Sequence, residues 1–183
     1  MLMLIILIVS TFFHGFNSLV SFSSKPLRSL GIDFGTSGVR CIGICENSII
    51  GHEDAIKWSE SYFDGLNLAE MWIIGLHKLL DGIPETKRQS IDRICLSGTS
   101  ASCLIYDTET KKVSRLPKMY NYNVYSNCPD NMVKDKVKTI LKEYCPPSSP
   151  ANSPTSTLPK LLEWHFESSL KASERLCHQV CFI

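Results

Sequence analysis

Apolar and polar positions alternate along this chain at two distinct periods. In Leu30-Gly31-Ile32-Asp33-Phe34 the residues Leu30, Ile32 and Phe34 fall on one side and Gly31 and Asp33 on the other, the period of two that marks a strand. Gly35-Thr36-Ser37-Gly38 then turns the chain, and Val39–Cys45 and Ser48–Ile56 read as second and third strands joined by the polar turn Glu46-Asn47. Two hairpins this closely spaced predict an antiparallel start to a sheet. The period next changes to that of a helix, with Leu66, Ala69, Trp72, Ile73, Leu76, Leu79 and Leu80 on one face. Asp64 or Asn67 can cap its start, and Gly82 and Pro84 stop it.

Arg93–Ser97 and Ser102–Asp107 read as two further strands around Gly98-Thr99-Ser100. A second helix, from Asp130 to Tyr144, places Met132, Val133, Val137, Ile140, Leu141 and Tyr144 on one face with lysines opposite, and Cys145-Pro146-Pro147 ends it. Residues 146–159 hold five prolines among serine and threonine and read as a loop or linker. A third helix is expected near Pro159, with Ser156 or Thr157 as its cap and Leu161, Leu162, His165 and Phe166 on one face. The last residues, Arg175 to Ile183, break off in mid-pattern without a cap or turn. Strands alternating with helices place the chain in the α/β class.

At 183 residues the chain fits one ordinary domain with a real core, and its 44% hydrophobic and 20% charged residues are globular values. A formal charge of +1 gives no basis for a nucleic-acid or acidic partner. None of the eight cysteines forms a C-x-x-C pair, and Cys41, Cys45, Cys95 and Cys103 sit in apolar strand-like runs, where they read as buried free thiols. A disulfide framework is the alternative if the protein is secreted. Cys177-His178-x-x-Cys181 offers one edge of a zinc site but has no second pair.

Two addresses fit the N-terminus. Residues 2–9 are continuously apolar, like the core of a secretory signal, but no positive charge precedes them. His14 to Ser29 is rich in serine, carries Lys25 and Arg28 and has no acid, which is transit-peptide composition. On either reading residues 1–28 are expected outside the fold, and membrane contact is confined to residues 1–13.

The candidate chemistry lies in the turns. Asp33 ends an apolar strand and is followed by Gly35, Thr36, Ser37 and Gly38. Glycine admits a ligand close to the backbone, N–H and O–H groups donate to phosphate oxygens, and a carboxylate suits Mg²⁺ or its waters. Because a strand follows, this is neither the P-loop nor the Rossmann turn, both of which open a helix. The same residues also suit an ordinary hairpin turn. The segment resembles the first phosphate motif of the actin-like ATPase superfamily, in the form used by FGGY carbohydrate kinases.

Three later segments add to that resemblance. Cys95-Leu-Ser-Gly-Thr-Ser-Ala101 is similar to the family's turn beneath the sugar, with Thr99 and Ser100 as matching donors. Leu116-Pro-Lys-Met-Tyr-Asn-Tyr-Asn123 resembles the segment that reaches the sugar; Tyr120 and Asn121 match, whereas Tyr122 stands where the family has Asp and no Arg follows. Ser153 to Trp164 resembles the entry into a long helix, for which the plain reading is a capped helix with Leu161 and Trp164 buried and Lys160 a solvated first-turn charge.

The four segments run in family order over about residues 29–178 and look most like the D-ribulose kinase branch. The resemblance implies an actin-like (ribonuclease H-like) N-terminal lobe, incomplete at its C-terminus, with a mixed five-stranded sheet and flanking helices. It implies ATP and Mg²⁺ at Asp33, Gly35, Thr36, Ser37 and Arg40, with Asp33 on the metal side, and sugar at Thr99, Ser100, Tyr120 and Asn121. It also implies a chloroplast address, and a catalytic base and adenosine site in a second lobe, so that these residues alone are expected to be inactive. Exposed lobe surface is expected to favour self-association. A non-catalytic binding or regulatory module is the competing reading.

Overall fold

The structure, a computed structural model, describes residues 25–183; the segment before residue 25, which carries most of the targeting expectation, lies outside the described residues. The described chain runs β1 (Ser29–Phe34), β2 (Gly38–Ile44), β3 (Ile50–Lys57), α1 (Leu68–Gly82), α2 (Glu85–Arg88), β4 (Arg93–Gly98), β5 (Cys103–Asp107) and β6 (Lys112–Lys118). It continues through α3 (Val124–Asn127), α4 (Asn131–Tyr144), α5 (Thr157–Glu167), β7 (Glu174–His178) and α6 (Gln179–Phe182). Among the described residues no helix is long and apolar enough to cross a membrane.

The strands form a mixed four-stranded sheet, ordered β3-β2-β1-β4, and a three-stranded sheet, ordered β6-β5-β7. This replaces the single five-stranded sheet expected. The two hairpins pair antiparallel as predicted, while β4 returns parallel to β1 through α1. The sheet has one well-packed face. Leu30, Ile32 and Phe34 of β1 and Val39 and Cys41 of β2 are buried in one cluster with Trp72 and Leu79 of α1 and Leu104 of β5. Each large side chain so buried contributes roughly 1.5–3 kcal/mol.

Leu27 is fully buried in this cluster, and the Arg28 N–H donates to the Ile44 carbonyl at 2.8 Å. The folded part therefore begins before residue 29. At the other edge β4 has no outer neighbour among the described residues; Ile94 is 58% exposed and Cys95 is exposed rather than buried. All eight thiols are free.

Asn67 caps α1: its side chain accepts from the N–H groups of Ala69 and Glu70, and Glu70 reaches back to the Asn67 N–H. Asp130 caps α4 in the same way, through Met132 and Val133. In α4 the spacing of four residues decides the face. Val133, Val137 and Leu141 are buried, whereas Met132 and Tyr144, expected on that face, are exposed.

The buried stripe of α5 departs further from its hydrophobic pattern. Lys160, Glu163 and Trp164 are buried, Leu161 and Leu162 are partly buried and His165 is exposed. Polar residues occupy that face because each finds a partner there. Glu163 pairs with Lys118 Nζ at 2.8 Å and accepts from Tyr122 OH at 2.6 Å. Lys160 is therefore not a solvated charge.

Candidate functional site

The first candidate turn follows β1. Within it the Gly35 N–H donates to the Gly38 carbonyl at 2.9 Å, and Thr36 and Ser37 are exposed at its tip. Trp58, directly after β3, holds both sides of the turn. Its indole Nε1–H donates to the Gly35 carbonyl at 3.0 Å and its backbone N–H to the Ser37 carbonyl at 3.1 Å. The indole stacks on Phe34 at a centroid distance of 6.4 Å and meets Phe63 edge-on at 5.4 Å. Gly75 of α1 leaves room for the ring; an added Cβ would lie 2.8 Å from it. Gly38 is fixed by a close approach as well, since a Cβ there would overlap the Ile56 carbonyl of β3.

Asp33 and Arg40 are cross-strand partners, and Arg40 Nε lies 3.4 Å from Asp33 Oδ2, both side chains being about 30% exposed. The guanidinium reaches back over Gly35, where a Cβ would sit 2.9 Å from Arg40 Nη2. The turn thus gathers one guanidinium, one carboxylate and two exposed hydroxyls around bare glycine backbone. That donor set fits an anionic phosphate. For Mg²⁺ it offers a single carboxylate, already paired with Arg40, so the turn is at most one edge of a metal site.

The second turn follows β4 and is locked from inside. Gln179 of α6 is 1% exposed, and its Oε1 accepts from the Thr99 N–H at 3.0 Å and from Thr99 Oγ1 at 3.2 Å. Gly98 makes this approach possible, since a Cβ there would stand 2.6 Å from Gln179 Oε1. Thr99 Oγ1 also lies 2.5 Å from the buried Ser102 Oγ, which in turn accepts from the Tyr120 N–H at 3.0 Å. The fully buried Lys160 donates to the Ala101 carbonyl at 2.8 Å and to the Met119 carbonyl at 2.7 Å. Burial pushes its ammonium below the usual lysine range; the Cys103 thiol opposes that shift and the Lys118 charge adds to it.

With the Thr99 hydroxyl engaged internally, Ser100, Tyr120 and Asn121 are the exposed members of the set expected to face the sugar. Tyr122 points away from that set and anchors to Glu163 at 2.6 Å; burial, and then this bond, raise its phenol above the ordinary range. Ser102, Lys160 and Gln179 carry no signal in the local sequence pattern that would have singled them out.

Topology brings the two turns together. Phe34 and Gly98 are register partners on the parallel pair β1 and β4, so both turns leave the sheet at the carboxyl ends of adjacent strands. β2 runs back antiparallel on one side of β1 and β4 runs parallel on the other. Neighbouring strands are about 4.8 Å apart, which brings the hydroxyls of the two turns within the span of one small molecule.

Outside these turns, Cys128, Glu163 and Glu167 are the described His, Cys, Asp or Glu side chains close enough to share an ion. Glu163 is already engaged by Lys118 and Tyr122. His178 shares a hydrogen bond with Thr157 Oγ1 at 3.1 Å.

No protein-family model matches the sequence. Among solved structures, the chain is similar to Plasmodium falciparum glycerol kinase, determined with ADP, with a TM-score of 0.55 and 12% identity over 87% of this chain and 34% of that one. It is similar to a gluconate kinase from Lactobacillus acidophilus with a TM-score of 0.54 and 12% identity, over 84% of this chain and 32% of that one. For a ligand-bound xylulose kinase from the same organism the values are 0.52 and 12%, over 82% and 31%. The chain has a sugar-kinase fold. It spans about a third of the length of these kinases. At such identities the likeness speaks for the fold, and the chemistry rests on the residues at the two turns.

Proposed function

We propose that this chain supplies the phosphate-facing and sugar-facing turns of an ATP-dependent sugar kinase, with a ketopentose, D-ribulose, as the sugar. The observation that carries the reading is the meeting of two glycine-hydroxyl turns at the carboxyl ends of the adjacent parallel strands β1 and β4. Arg40 and the Thr36 and Ser37 hydroxyls would face the phosphates of ATP. Asp33 would hold Mg²⁺ from one side, an ion that neutralises charge on the transferring phosphoryl group. Ser100, Tyr120 and Asn121 offer neutral donors and acceptors, which suit a polyol.

Phosphoryl transfer also needs a base to orient or deprotonate the attacking hydroxyl. The two turns and the segment 116–123 contain one carboxylate, Asp33, and it is ion-paired with Arg40. The 183 residues by themselves are therefore expected to bind without turnover. The same observation favours a second reading, a non-catalytic sugar- or phosphate-binding module. The chloroplast is the proposed address, on the composition of the N-terminal segment. Import of a reporter carrying residues 1–28 into isolated chloroplasts tests this, and entry of the reporter into the secretory route would refute it.

The test of function is a titration of the 183-residue protein with D-ribulose, D-xylulose, glycerol and Mg-tripolyphosphate, followed by amide NMR shifts. D-ribulose is expected to move the signals of Gly98 to Ala101 and Tyr120 to Asn121, and tripolyphosphate those of Gly35 to Gly38. Sugar shifts confined to other parts of the fold would sink the kinase reading. ATP-dependent turnover that disappears in Asp33→Ala would overturn the expected inactivity and leave that reading standing.

A further inference from the structure

Lys160 is fully buried, yet among the described residues it makes no ion pair. Its ammonium is satisfied by two backbone carbonyls, those of Ala101 and Met119. Burying a charge on carbonyls alone is costly, and a methionine of similar shape would fill the space without that penalty. A purely structural role therefore accounts poorly for a lysine at this place.

The two carbonyls identify what the lysine does. One closes the turn that exposes Ser100, and the other immediately precedes Tyr120 and Asn121. Ala101 is moreover a non-glycine residue with φ of 60°, in the left-handed region, where L side chains are strained. Such backbone persists where its surroundings over-determine it, and it clusters at binding sites. Here the lysine grips the strained residue by its own carbonyl. The Ser102 hydroxyl, which accepts from the Tyr120 N–H and meets Thr99 Oγ1, ties the same two segments a second time. A buried ammonium and a buried hydroxyl thus hold together two exposed segments from different parts of the chain.

We propose that Lys160 is a positioning residue for sugar binding, whose ammonium fixes the Ala101 and Met119 carbonyls so that Ser100, Tyr120 and Asn121 form one preorganised surface for a neutral polyol. The inference rests on the reading that these segments meet the sugar. Preorganisation of this kind lowers the ordering cost of binding. Lys160 touches no substrate in this scheme and moves no proton.

The test compares the 183-residue protein with Lys160→Met, measuring the D-ribulose dissociation constant and residue-resolved amide hydrogen exchange. The variant is expected to bind the sugar about tenfold more weakly. Exchange should rise at least tenfold at Thr99, Ser102 and Tyr120 and stay unchanged in β1 and α1. A merely structural lysine would accelerate exchange throughout the fold. Unchanged affinity, or exchange raised uniformly, overturns the inference. Absence of D-ribulose binding by the parent protein overturns the functional reading instead, and the two failures are told apart by which protein fails.

Should Lys160→Met not fold, the parent protein decides through its lysine ¹⁵Nζ signals. A slowly exchanging Lys160 ammonium that shifts on saturation with D-ribulose supports the clamp, and one that does not respond refutes it.

Discussion

Replacing Trp58 by Phe tests how the turn after β1 keeps its shape. The substitution removes the indole N–H that donates to the Gly35 carbonyl at 3.0 Å but leaves the backbone N–H that donates to Ser37 at 3.1 Å. It also keeps an aromatic ring against Phe34 and Phe63. Loss of one such hydrogen bond costs about 1 kcal/mol net, and because Gly35 is half-buried, water can satisfy its carbonyl and keep the loss near that figure. The smaller ring gives up contacts against Gly75, adding about 1 kcal/mol for a site only partly buried. We expect a total of roughly 2 kcal/mol in urea denaturation followed by far-ultraviolet circular dichroism. The local signature is more specific: exchange of the Gly35 amide, which is bonded to Gly38, should accelerate well beyond the global change. A loss below about 0.5 kcal/mol, with Gly35 exchange unaltered, would show that the turn holds its shape without the tryptophan.

Gly38→Ala should destabilise by about 1–3 kcal/mol, since its Cβ meets the Ile56 carbonyl and β3 must yield; a neutral urea midpoint would contradict this. Asn67→Ala removes a capping box and should cost about 1 kcal/mol, read in the same assay, with fraying confined to the first turn of α1. Burial raises the Cys41 thiol to about 12, with the Asp54 charge adding to it, and raises the Cys103 thiol to about 11. Their contribution to stability is complete below the unfolded thiol value near 9 and is lost as pH climbs from there towards 11–12. By one pH unit above that value the two together remove about 2–3 kcal/mol, partly offset by the lowered amine of Lys160, which favours folding as pH rises. Urea midpoints measured under reducing conditions should fall above pH 9, and a flat profile would refute it.

What could be read from the sequence was local. The β1–β2–β3 meander announces itself through alternation and short turns, and α1 through its periodic face and Asn67. β6 carries lysines, a serine, an arginine and Pro117 among its seven residues, because it is an edge strand with no fully buried residue, and apolar alternation is faint there. β7 pairs with β5 about seventy residues earlier, Leu104 facing Cys177, and no local pattern marks such a partner. The face of α5 departs from its hydrophobic pattern for a related reason: Lys160 and Glu163 look like surface residues until Ala101, Met119, Lys118 and Tyr122 arrive to satisfy them. The first turn could thus be read almost whole, Trp58 excepted. The second could be located but its locks could not, since Lys160 and Gln179 lie 59 and 80 residues from the atoms they hold.

The departure at Tyr122 follows from the same packing. A carboxylate at that position would have to share its surroundings with Glu163, which is fully buried, and two carboxylates there would repel each other in a region of low dielectric. The phenol instead donates to Glu163 at 2.6 Å, while Lys118 balances that carboxylate at 2.8 Å and lies 4.9 Å and 4.7 Å over the rings of Tyr122 and Trp164. Tyr122 and Glu163 are therefore chemically coupled, and the tyrosine belongs to the support of the site. The exposed set Ser100, Tyr120 and Asn121 therefore carries no charge. The Asp33–Arg40 pair stands one strand away at the first turn, and the Lys160 ammonium lies buried against the Ala101 and Met119 carbonyls. On the proposed function, this division suits a neutral sugar held by hydroxyl and amide groups, with the anionic partner taken by the neighbouring turn. A sugar acid would place its carboxylate against Ser100, Tyr120 and Asn121, where no cationic side chain stands in the exposed set to receive it.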